Sequence, residues 1–148
     1  MTVHDLEIVF NPLPGESLTR FITESLGSYV VAATGQADWY PLGFFLRHGD
    51  GEWLGGLLGS LWGGWLHVTH LWVAAPARRH GNGTRLLRAV ERYAVERGCL
   101  ASHLDTHSDE ARRFYEKLGY QIFAVLDDFP PGHAKYFLRK ELIGRGSP

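Results

Sequence analysis

A basic, glycine-punctuated loop carries the residue types and spacing best suited to chemistry in this sequence. Residues 78–84 read RRHGNGT, follow an apolar strand-like run at residues 71–73, and lead directly into an amphipathic helix. The first N–H groups of a helix have no intrahelical partner, and the positive end of the helix dipole attracts anions. Gly81 and Gly83 would let the backbone approach a phosphate without an intervening Cβ. The loop therefore predicts a phosphate site, with an ordinary strand–turn–helix connection as the alternative.

Composition narrows the classes of protein that could carry such a loop. The 148 residues include 15 basic and 16 acidic side chains, for a net charge of −1, and 45% of them are hydrophobic. We expect one domain at residues 1–143 and a flexible tail at residues 144–148. The balanced charge disfavours a nucleic-acid partner, and no apolar run is long enough to predict a membrane span. The single cysteine, Cys99, and the lack of a leader-like segment favour a cytoplasmic protein.

Hydrophobic periodicity and turn residues predict the order of secondary-structure elements. The predicted strands lie at residues 6–10, 42–48, 53–61, 65–74, 100–106, 120–126 and 134–142, and the helices at residues 17–33, 83–97 and 108–118. Asp-Gly and Gly-Gly turns join the second, third and fourth strands into an antiparallel meander. Gly27 could divide the first helix into two. This order predicts an α+β fold with a central mixed, mostly antiparallel sheet of six or seven strands flanked by helices.

Two separated motifs resemble one family. The pattern Arg78-x-x-Gly81-x-Gly83 is similar to the acyl-coenzyme-A pyrophosphate loop of the GNAT superfamily of N-acetyltransferases. The segment FYEKLGY at residues 114–120 resembles the later helix-to-strand motif of the same superfamily. The order of elements is also similar, so the resemblance extends over nearly the whole chain and implies the GNAT fold.

The resemblance implies an acetyl-coenzyme-A site. The pyrophosphate would be held by the main chain from Arg79 to Thr84 and by the side chain of Arg78; the residues of this loop are Arg78, Arg79, His80, Gly81, Asn82, Gly83 and Thr84. The main chain of Leu71, Trp72 and Val73 would pair with the pantetheine arm, and the thioester carbonyl would lie where this strand and the one at residues 100–106 separate. Phe114 and Tyr115 would complete the site. Ser108 stands where many members have asparagine, and serine can cap the helix and donate one hydrogen bond.

Tyr115 occupies the position of the general acid in the family, so the resemblance implies that it serves the departing thiolate. Proton transfer from a phenol of pKa ~10 to the thiolate of a thiol of pKa ~8.5 is uphill by about 2 kcal/mol. We therefore expect Tyr115 mainly to hydrogen-bond the developing thiolate. The alternative is a core tyrosine that packs beside Phe114.

The acceptor amine must lose a proton, because an amine of pKa ~10.4 is neutral in roughly one molecule per thousand at pH 7. His67 lies six residues before Val73, where histone acetyltransferases of the superfamily carry a catalytic glutamate, and imidazole is a suitable base. His67 would share strand parity with Leu71 and Val73 if no bulge intervenes. His70, on the opposite parity, is the second candidate. Asp105 and His107 are further candidates, and solvent could also accept the proton.

Other patterns favour no additional chemistry. His67 and His70, three apart on a strand, would point to opposite faces. His103 and His107 have no cysteine or carboxylate partner at a recognisable ligand spacing, so no metal is expected. Asp127 and Asp128 could attract a cationic amine, although a solvated loop is the default expectation for them.

We therefore expect an acetyl-coenzyme-A-dependent N-acetyltransferase in which a primary amine of a small molecule, or an exposed peptide amino group, attacks directly through a tetrahedral intermediate. The alternative is a GNAT-like domain that binds coenzyme A as a sensor. A P-loop nucleotide-binding protein is disfavoured because no Gly-Lys-Ser/Thr follows the glycines. A homodimer is the assembly that the aromatic-rich composition favours.

Overall fold

The structure is a computed structural model that describes residues 6–143. The backbone groups into two compact units, one within residues 1–37 and one within residues 38–148. The predicted tail at residues 144–148 lies outside the described residues. None of the helices in the described part is long and apolar enough to cross a membrane.

The first unit contains helix α1 (Glu16–Thr34). Its C-cap, Gly35, has a φ of 72°, and its N–H donates to the Val31 carbonyl. The helix is continuous, so the expectation that Gly27 could divide it is wrong: a single glycine lowers helix stability by only about 1 kcal/mol. No residue of α1 is buried.

Residues 6–10 do not form the strand that their alternating pattern predicts. They are exposed and have no assigned secondary structure. Alternation shows only that a segment would suit a half-buried strand, whereas a strand exists through ladder hydrogen bonds to a neighbour. The described part of this segment makes none, and the prediction fails for that reason.

The second unit is a six-stranded sheet with two helices. Its elements are β1 (Tyr40–Arg47), β2 (Trp53–Trp62), β3 (Trp65–Val73), a short turn of 3-10 helix (Ala75–Ala77), α2 (Asn82–Glu96), β4 (Ala101–Thr106), α3 (Asp109–Lys117), β5 (Gln121–Asp127) and β6 (Ala134–Glu141). The strand order is β1-β2-β3-β4-β6-β5. Only β3 and β4 pair in parallel; the other pairs are antiparallel. The predicted mixed, mostly antiparallel sheet is confirmed.

Glycines at the turns behave as the sequence predicts. Gly63 and Gly64 join β2 to β3 with φ values of 58° and 83°. A two-residue hairpin with positive φ at both positions matches the right-handed twist of its strands, and glycine adopts it without strain. Gly98 and Gly119, with φ values of 88° and 95°, follow the ends of α2 and α3.

Helices α2 and α3 share one hydrophobic core on one face of the sheet, called here the helix face. Leu87 and Val90 of α2 are fully buried, as are Leu57 and Leu66 on the strands. The remaining buried members of this core are Leu61, Val68, Leu86, Ala94, Cys99, Leu104, Tyr115, Tyr120 and Leu138. Because strand side chains alternate, the residues between these positions point to the opposite face, called the second face.

A polar network lies within this apolar core. The carboxylate of Glu91 on α2 forms a salt bridge of 2.8 Å with the ammonium of Lys140 on β6. The Tyr120 hydroxyl lies 3.3 Å from Glu91 and 2.9 Å from the Ser102 hydroxyl. The network ties the C-terminal half of α2, through Glu91, to β4 and β6.

Candidate active site

The loop before α2 has the backbone of an anion site. Arg79 and Gly81 adopt left-handed conformations, with φ values of 63° and 78°. A left-handed residue is uncommon outside glycine, and left-handed turns make successive N–H groups converge into an anion-binding concavity. No acceptor among residues 6–143 is hydrogen-bonded to an N–H group between Arg79 and Thr84, whereas Arg85 N–H donates to the Gly81 carbonyl at 3.0 Å.

Side chains of the loop hold its backbone in this conformation. The Asn82 amide donates to the Ala77 carbonyl at 2.9 Å and accepts from the Arg85 guanidinium at 3.1 Å. The Nε of Arg78 donates to the Val73 carbonyl at 2.7 Å. Arg78 thus links the loop to the end of β3, while the side chains of Arg79 and His80 remain exposed.

Gly83, in the first turn of α2, packs against α3. A Cβ built on Gly83 would lie 3.3 Å from Cζ of Phe114, and no other group comes as close. The helix start, the loop and Phe114 are therefore in contact, and the two motifs found in the sequence meet in the structure.

The parallel ladder between β3 and β4 is short. It joins Trp65 to Ala101, Leu66 to Ser102 and His67 to His103, and it ends there. However, β3 continues to Val73 and β4 to Thr106. From residue 68 onward, β3 is paired with β2 alone, which leaves its other edge without a ladder partner. The predicted pantetheine-pairing residues Leu71, Trp72 and Val73 lie on this edge.

A β-bulge at Thr69 reverses the parity of β3. His70 pairs with Leu58 and Val68 with Gly59, so Thr69 is the extra residue. Its hydroxyl donates to the Leu58 carbonyl at 3.1 Å. A bulge inserts one residue and moves every later side chain to the other face.

The bulge corrects two expectations about the histidines. Leu71 and Val73 pack against the core on the helix face, while His67, between buried Leu66 and Val68, points to the second face. His67 therefore does not share the parity of Leu71 and Val73. His67 and His70 lie on the same face, not on opposite faces. Even so, no group of three or more histidine, cysteine or acidic residues that could hold a metal occurs in residues 6–143.

Tyr115 lies on the helix face and is 6% exposed. Burial, together with the charge of Asp105, raises the pKa of Tyr115 to about 12. Helix α3, which carries it, is fixed at its start: the Ser108 hydroxyl accepts from Ala111 N–H at 3.1 Å, and the Tyr136 hydroxyl donates to Asp109 at 2.8 Å. Ser108 is therefore the N-cap of α3, as the sequence predicts.

His67 and His103 stack on the second face where the β3–β4 ladder ends. Their ring centroids are 4.2 Å apart and their planes differ by 12°. Trp65 meets His103 edge-on at 5.7 Å. Burial and the neighbouring His67 lower the pKa of His103, against an opposing effect of Asp105. A proton on the His103 ring is therefore disfavoured.

Asp105 connects the two faces of the site electrostatically. Its charge adds to the effect of burial in raising the pKa of Tyr115, and it partly opposes the lowering of the pKa of His103. Its carboxylate lies 3.3 Å from the Lys135 ammonium. We call Tyr115, Asp105, His103 and His67 the catalytic cluster, because Asp105 interacts electrostatically with Tyr115 on the helix face and with His103, stacked on His67, on the second face.

The other predicted candidates lie around this cluster or apart from it. Nδ1 of His107 is 2.9 Å from the Phe129 carbonyl. The Asp128 carboxylate accepts from Gly132 N–H at 3.4 Å within its own loop. Neither a catalytic role for His103 nor the pair of Asp105 with Lys135 was predicted from the sequence. The alternation of His103 and Asp105 on one strand was the available signal, since it places both on one face.

Comparison with known proteins agrees with this geometry. Residues 15–120 match the sequence profile of the GNAT acetyltransferase family. Blasticidin-S acetyltransferase from Streptomyces morookaense is 45% identical over 93 residues, covering 62% of this chain and 68% of that protein. Acetyltransferase Atu2258 from Agrobacterium fabrum is 30% identical over 135 residues, covering 91% of this chain and 98% of that protein. A crystal structure from Agrobacterium tumefaciens, described as that of an acetyltransferase, superimposes with a TM-score of 0.87 at 29% identity, covering 92% and 99% of the two chains.

The chain belongs to the GNAT family of acetyltransferases. It is accordingly an acyltransferase of the N-acetyltransferase type, and the fold expected from the sequence is confirmed.

Proposed function

We propose that the protein transfers an acetyl group from acetyl-coenzyme A to a primary amine of a small molecule or an exposed peptide. The observation that carries this proposal is the set of unpaired N–H groups from Arg79 to Thr84, in a loop with left-handed residues at its second and fourth positions. Such a concavity at a helix N-terminus suits a diphosphate. The N–H groups of Asn82, Gly83 and Thr84 are unpaired as at any helix start, and the left-handed backbone at Arg79 and Gly81 is what distinguishes this loop from an ordinary connecting turn.

The unpaired edge of β3 supports a place for the pantetheine arm. Main-chain groups of Leu71, Trp72 and Val73 would bond its amides as an added strand would. The Val73 carbonyl already accepts from Arg78, and a carbonyl oxygen can accept a second hydrogen bond. Arg78 would therefore act at the junction of the two parts of the coenzyme, with one face toward β3 and its charge toward the diphosphate.

Tyr115 would stabilise the departing thiolate by hydrogen bonding. With the pKa of Tyr115 at about 12, complete proton transfer to a thiolate of pKa ~8.5 would be uphill by about 5 kcal/mol. Its hydroxyl has no hydrogen-bond partner among residues 6–143, so it is available to a ligand. A buried hydroxyl that stays protonated at all working pH values is a suitable donor to an anion.

His67 would accept the proton of the acceptor amine, directly or through a water molecule. It stands at the last paired position of β3, where the strand edge becomes free, and it stacks on His103. The lowered pKa of His103 keeps that ring neutral at pH 7, so the ring stacked on His67 carries no positive charge, and an imidazole is a suitable general base. His70, on the same face beyond the bulge, is the second candidate.

The proposed acceptor is a small amine. One relative bears the name blasticidin-S acetyltransferase, and its identity of 45% makes blasticidin S a member of the panel to be tested. A homodimer and a cytoplasmic location remain predictions from the sequence, and light scattering of the purified chain tests the first.

The test is release of free thiol from acetyl-coenzyme A in the presence of a panel that contains blasticidin S, polyamines, amino acids and a peptide with a free N-terminus. Thiol release that depends on one amine, with mass spectrometry showing one added acetyl group, would support the proposal. Tight binding of acetyl-coenzyme A without release for any amine would favour the sensor alternative instead.

A further inference from the structure

A lysine ammonium lies in a cage at the edge of the proposed site. Nζ of Lys135 is 3.3 Å from the Asp105 carboxylate, 5.3 Å from the ring centroid of Phe137 and 5.7 Å from that of Phe129. Aromatic ring faces attract cations, and a carboxylate adds a full opposite charge. We call the Asp105 carboxylate with the two rings the ammonium cage.

Lys135 is held loosely in this cage. Its distance to Asp105 exceeds the usual 2.7–2.9 Å of a charge-assisted hydrogen bond. The side chains of Lys135 and Asp105 are 24% and 37% exposed, and partly exposed ion pairs contribute little to stability. By contrast, the Lys140 and Glu91 side chains are 16% and 7% exposed and meet at 2.8 Å. The first pair can be exchanged at low cost, and the second cannot.

The cage is built onto the same elements as the catalytic cluster. Asp105 lies on β4 two residues beyond His103, the last residue paired with β3, and faces Phe137 across the β4–β6 ladder. Phe129 is held against the start of α3 through its carbonyl, which contacts His107. An amine that approaches the free edge of β3 from the second face would pass this cage.

We propose that the ammonium cage is a subsite for a primary ammonium group of a cationic acceptor, and that Lys135 occupies it until the acceptor displaces the lysine. This inference rests on the proposed acetyl transfer, and it makes Lys135 a specificity-determining residue. An acceptor with two amino groups would place one in the cage and present the other for acetylation.

Lysine labelling tests the displacement without any need for turnover. The sequence contains three lysines, Lys117, Lys135 and Lys140. Protein labelled at the ε carbon of lysine should therefore give three signals in an NMR spectrum, assigned by single lysine-to-arginine variants. Ring currents of Phe129 and Phe137 shift the Lys135 signal. Addition of hexamethylenediamine should move this signal saturably toward that of a free lysine, and leave Lys140 unchanged.

Calorimetry with two variants provides the second readout. Lys135→Met keeps the apolar stem and vacates the cage, so it should tighten hexamethylenediamine binding about five-fold, which corresponds to about 1 kcal/mol. Lys117→Met, at the end of α3, should leave the affinity unchanged. Asp105→Asn should weaken it in both backgrounds.

Several outcomes would overturn the inference. These are a Lys135 signal that does not move at saturating diamine, an equal movement caused by sodium chloride at matched ionic strength, and an unchanged affinity in Lys135→Met. If any of these occurs while amines still release thiol from acetyl-coenzyme A, the cage is excluded and the proposed function stands. Displacement of Lys135 without thiol release from any amine would retain the cage and exclude acetyl transfer.

Discussion

The imidazole rings of His67 and His103 stack at a centroid distance of 4.2 Å at the last paired position of the β3–β4 ladder. Beyond this pair β3 and β4 continue without hydrogen bonds to each other, and the free edge of β3 is the proposed place of the pantetheine arm. The stack therefore stands at the inner end of the proposed reaction site. Burial and the neighbouring His67 lower the pKa of His103, so the His103 ring stays neutral to lower pH than a free histidine would.

His67→Gln should lower kcat/KM by about 100-fold at pH 7, the usual size of a general-base contribution. Glutamine keeps a planar polar group of similar reach but cannot accept the proton. His70→Gln serves as the matched control, since His70 lies on the same face without the stacked partner. Steady-state kinetics with the amine found in the panel measures both variants. Equal losses in the two variants, or full activity in His67→Gln, would remove His67 from the mechanism.

The lowered pKa of His103 predicts a pH-dependent stability. Above the ordinary histidine value of 6.5 the ring is neutral in both the folded and the unfolded chain, so His103 adds no pH dependence there. As the pH is lowered below 6.5, His103 becomes protonated in the unfolded chain before it does in the folded chain. The free energy of unfolding therefore decreases as the pH is lowered, until the pH is below the folded-state pKa. Urea denaturation at a series of pH values, from 7.5 down to about two units lower, measures this decline.

His103→Asn should flatten the decline, because asparagine does not titrate. His133→Asn, in the exposed loop between β5 and β6, is the control and should reproduce the native dependence. An unaltered pH slope in His103→Asn would contradict the assignment of a depressed pKa to that ring.

Tyr115 and Tyr120 provide a matched pair of buried tyrosines. Tyr115→Phe should reduce kcat by about 100-fold, as expected for loss of one donor to a developing anion, with coenzyme affinity near normal. Tyr120→Phe should instead reduce stability, because its hydroxyl bonds Ser102 and Glu91 within the core. Single-turnover kinetics and thermal denaturation separate the two effects. A Tyr115→Phe enzyme with native kcat would show that the phenol does not contact the leaving group.

Gly83→Val should weaken coenzyme binding by at least about ten-fold, or 1.4 kcal/mol, because side-chain atoms would stand in the first turn of α2 beside the anion site. The Cβ itself meets only the edge of the Phe114 ring, at 3.3 Å, so the fold should be retained. Gly49→Val, at a turn glycine with no neighbouring atoms within 4 Å, is the control. Calorimetric titration with coenzyme A gives the two affinities, and an unchanged value for Gly83→Val would contradict close backbone approach.

Glu91→Gln should destabilise the fold by about 3 kcal/mol, since it leaves the Lys140 ammonium without its buried counter-charge. Glu96→Gln, at the exposed end of the same helix, should change stability little. The comparison uses the midpoint and slope of urea unfolding. Similar stabilities for the two variants would show that the network around Glu91 is not a structural tie.

The sequence predicted those features that local chemistry determines. Gly63 and Gly64 required a tight hairpin, Ser108 offered a side chain to cap α3, and the alternation or helical spacing of apolar residues indicated β1 to β6 and the helices. Each of these depends on residues close together in the chain. The loop at residues 78–84 belongs to the same group, because its glycines and its position before a helix are both local.

The features that the sequence did not predict depend on distant partners. The bulge at Thr69 is stabilised by the carbonyl of Leu58 on another strand, and nothing in the residues around Thr69 indicates it. The stack of His67 on His103 and the pair of Asp105 with Lys135 likewise join residues that are far apart in the chain. At residues 6–10 the local pattern predicted a strand that does not form, because no neighbouring strand among residues 6–143 pairs with it.

We expect the main-chain N–H groups from Arg79 to Thr84 to bind the diphosphate of coenzyme A, and amide NMR shifts on ligand addition measure this contact at each residue. Coenzyme A should move the amide signals of Gly81, Gly83 and their neighbours strongly, whereas pantetheine, which lacks the diphosphate, should affect only the edge of β3. If coenzyme A binds and the loop amide signals stay at their original positions, the loop does not bind the diphosphate.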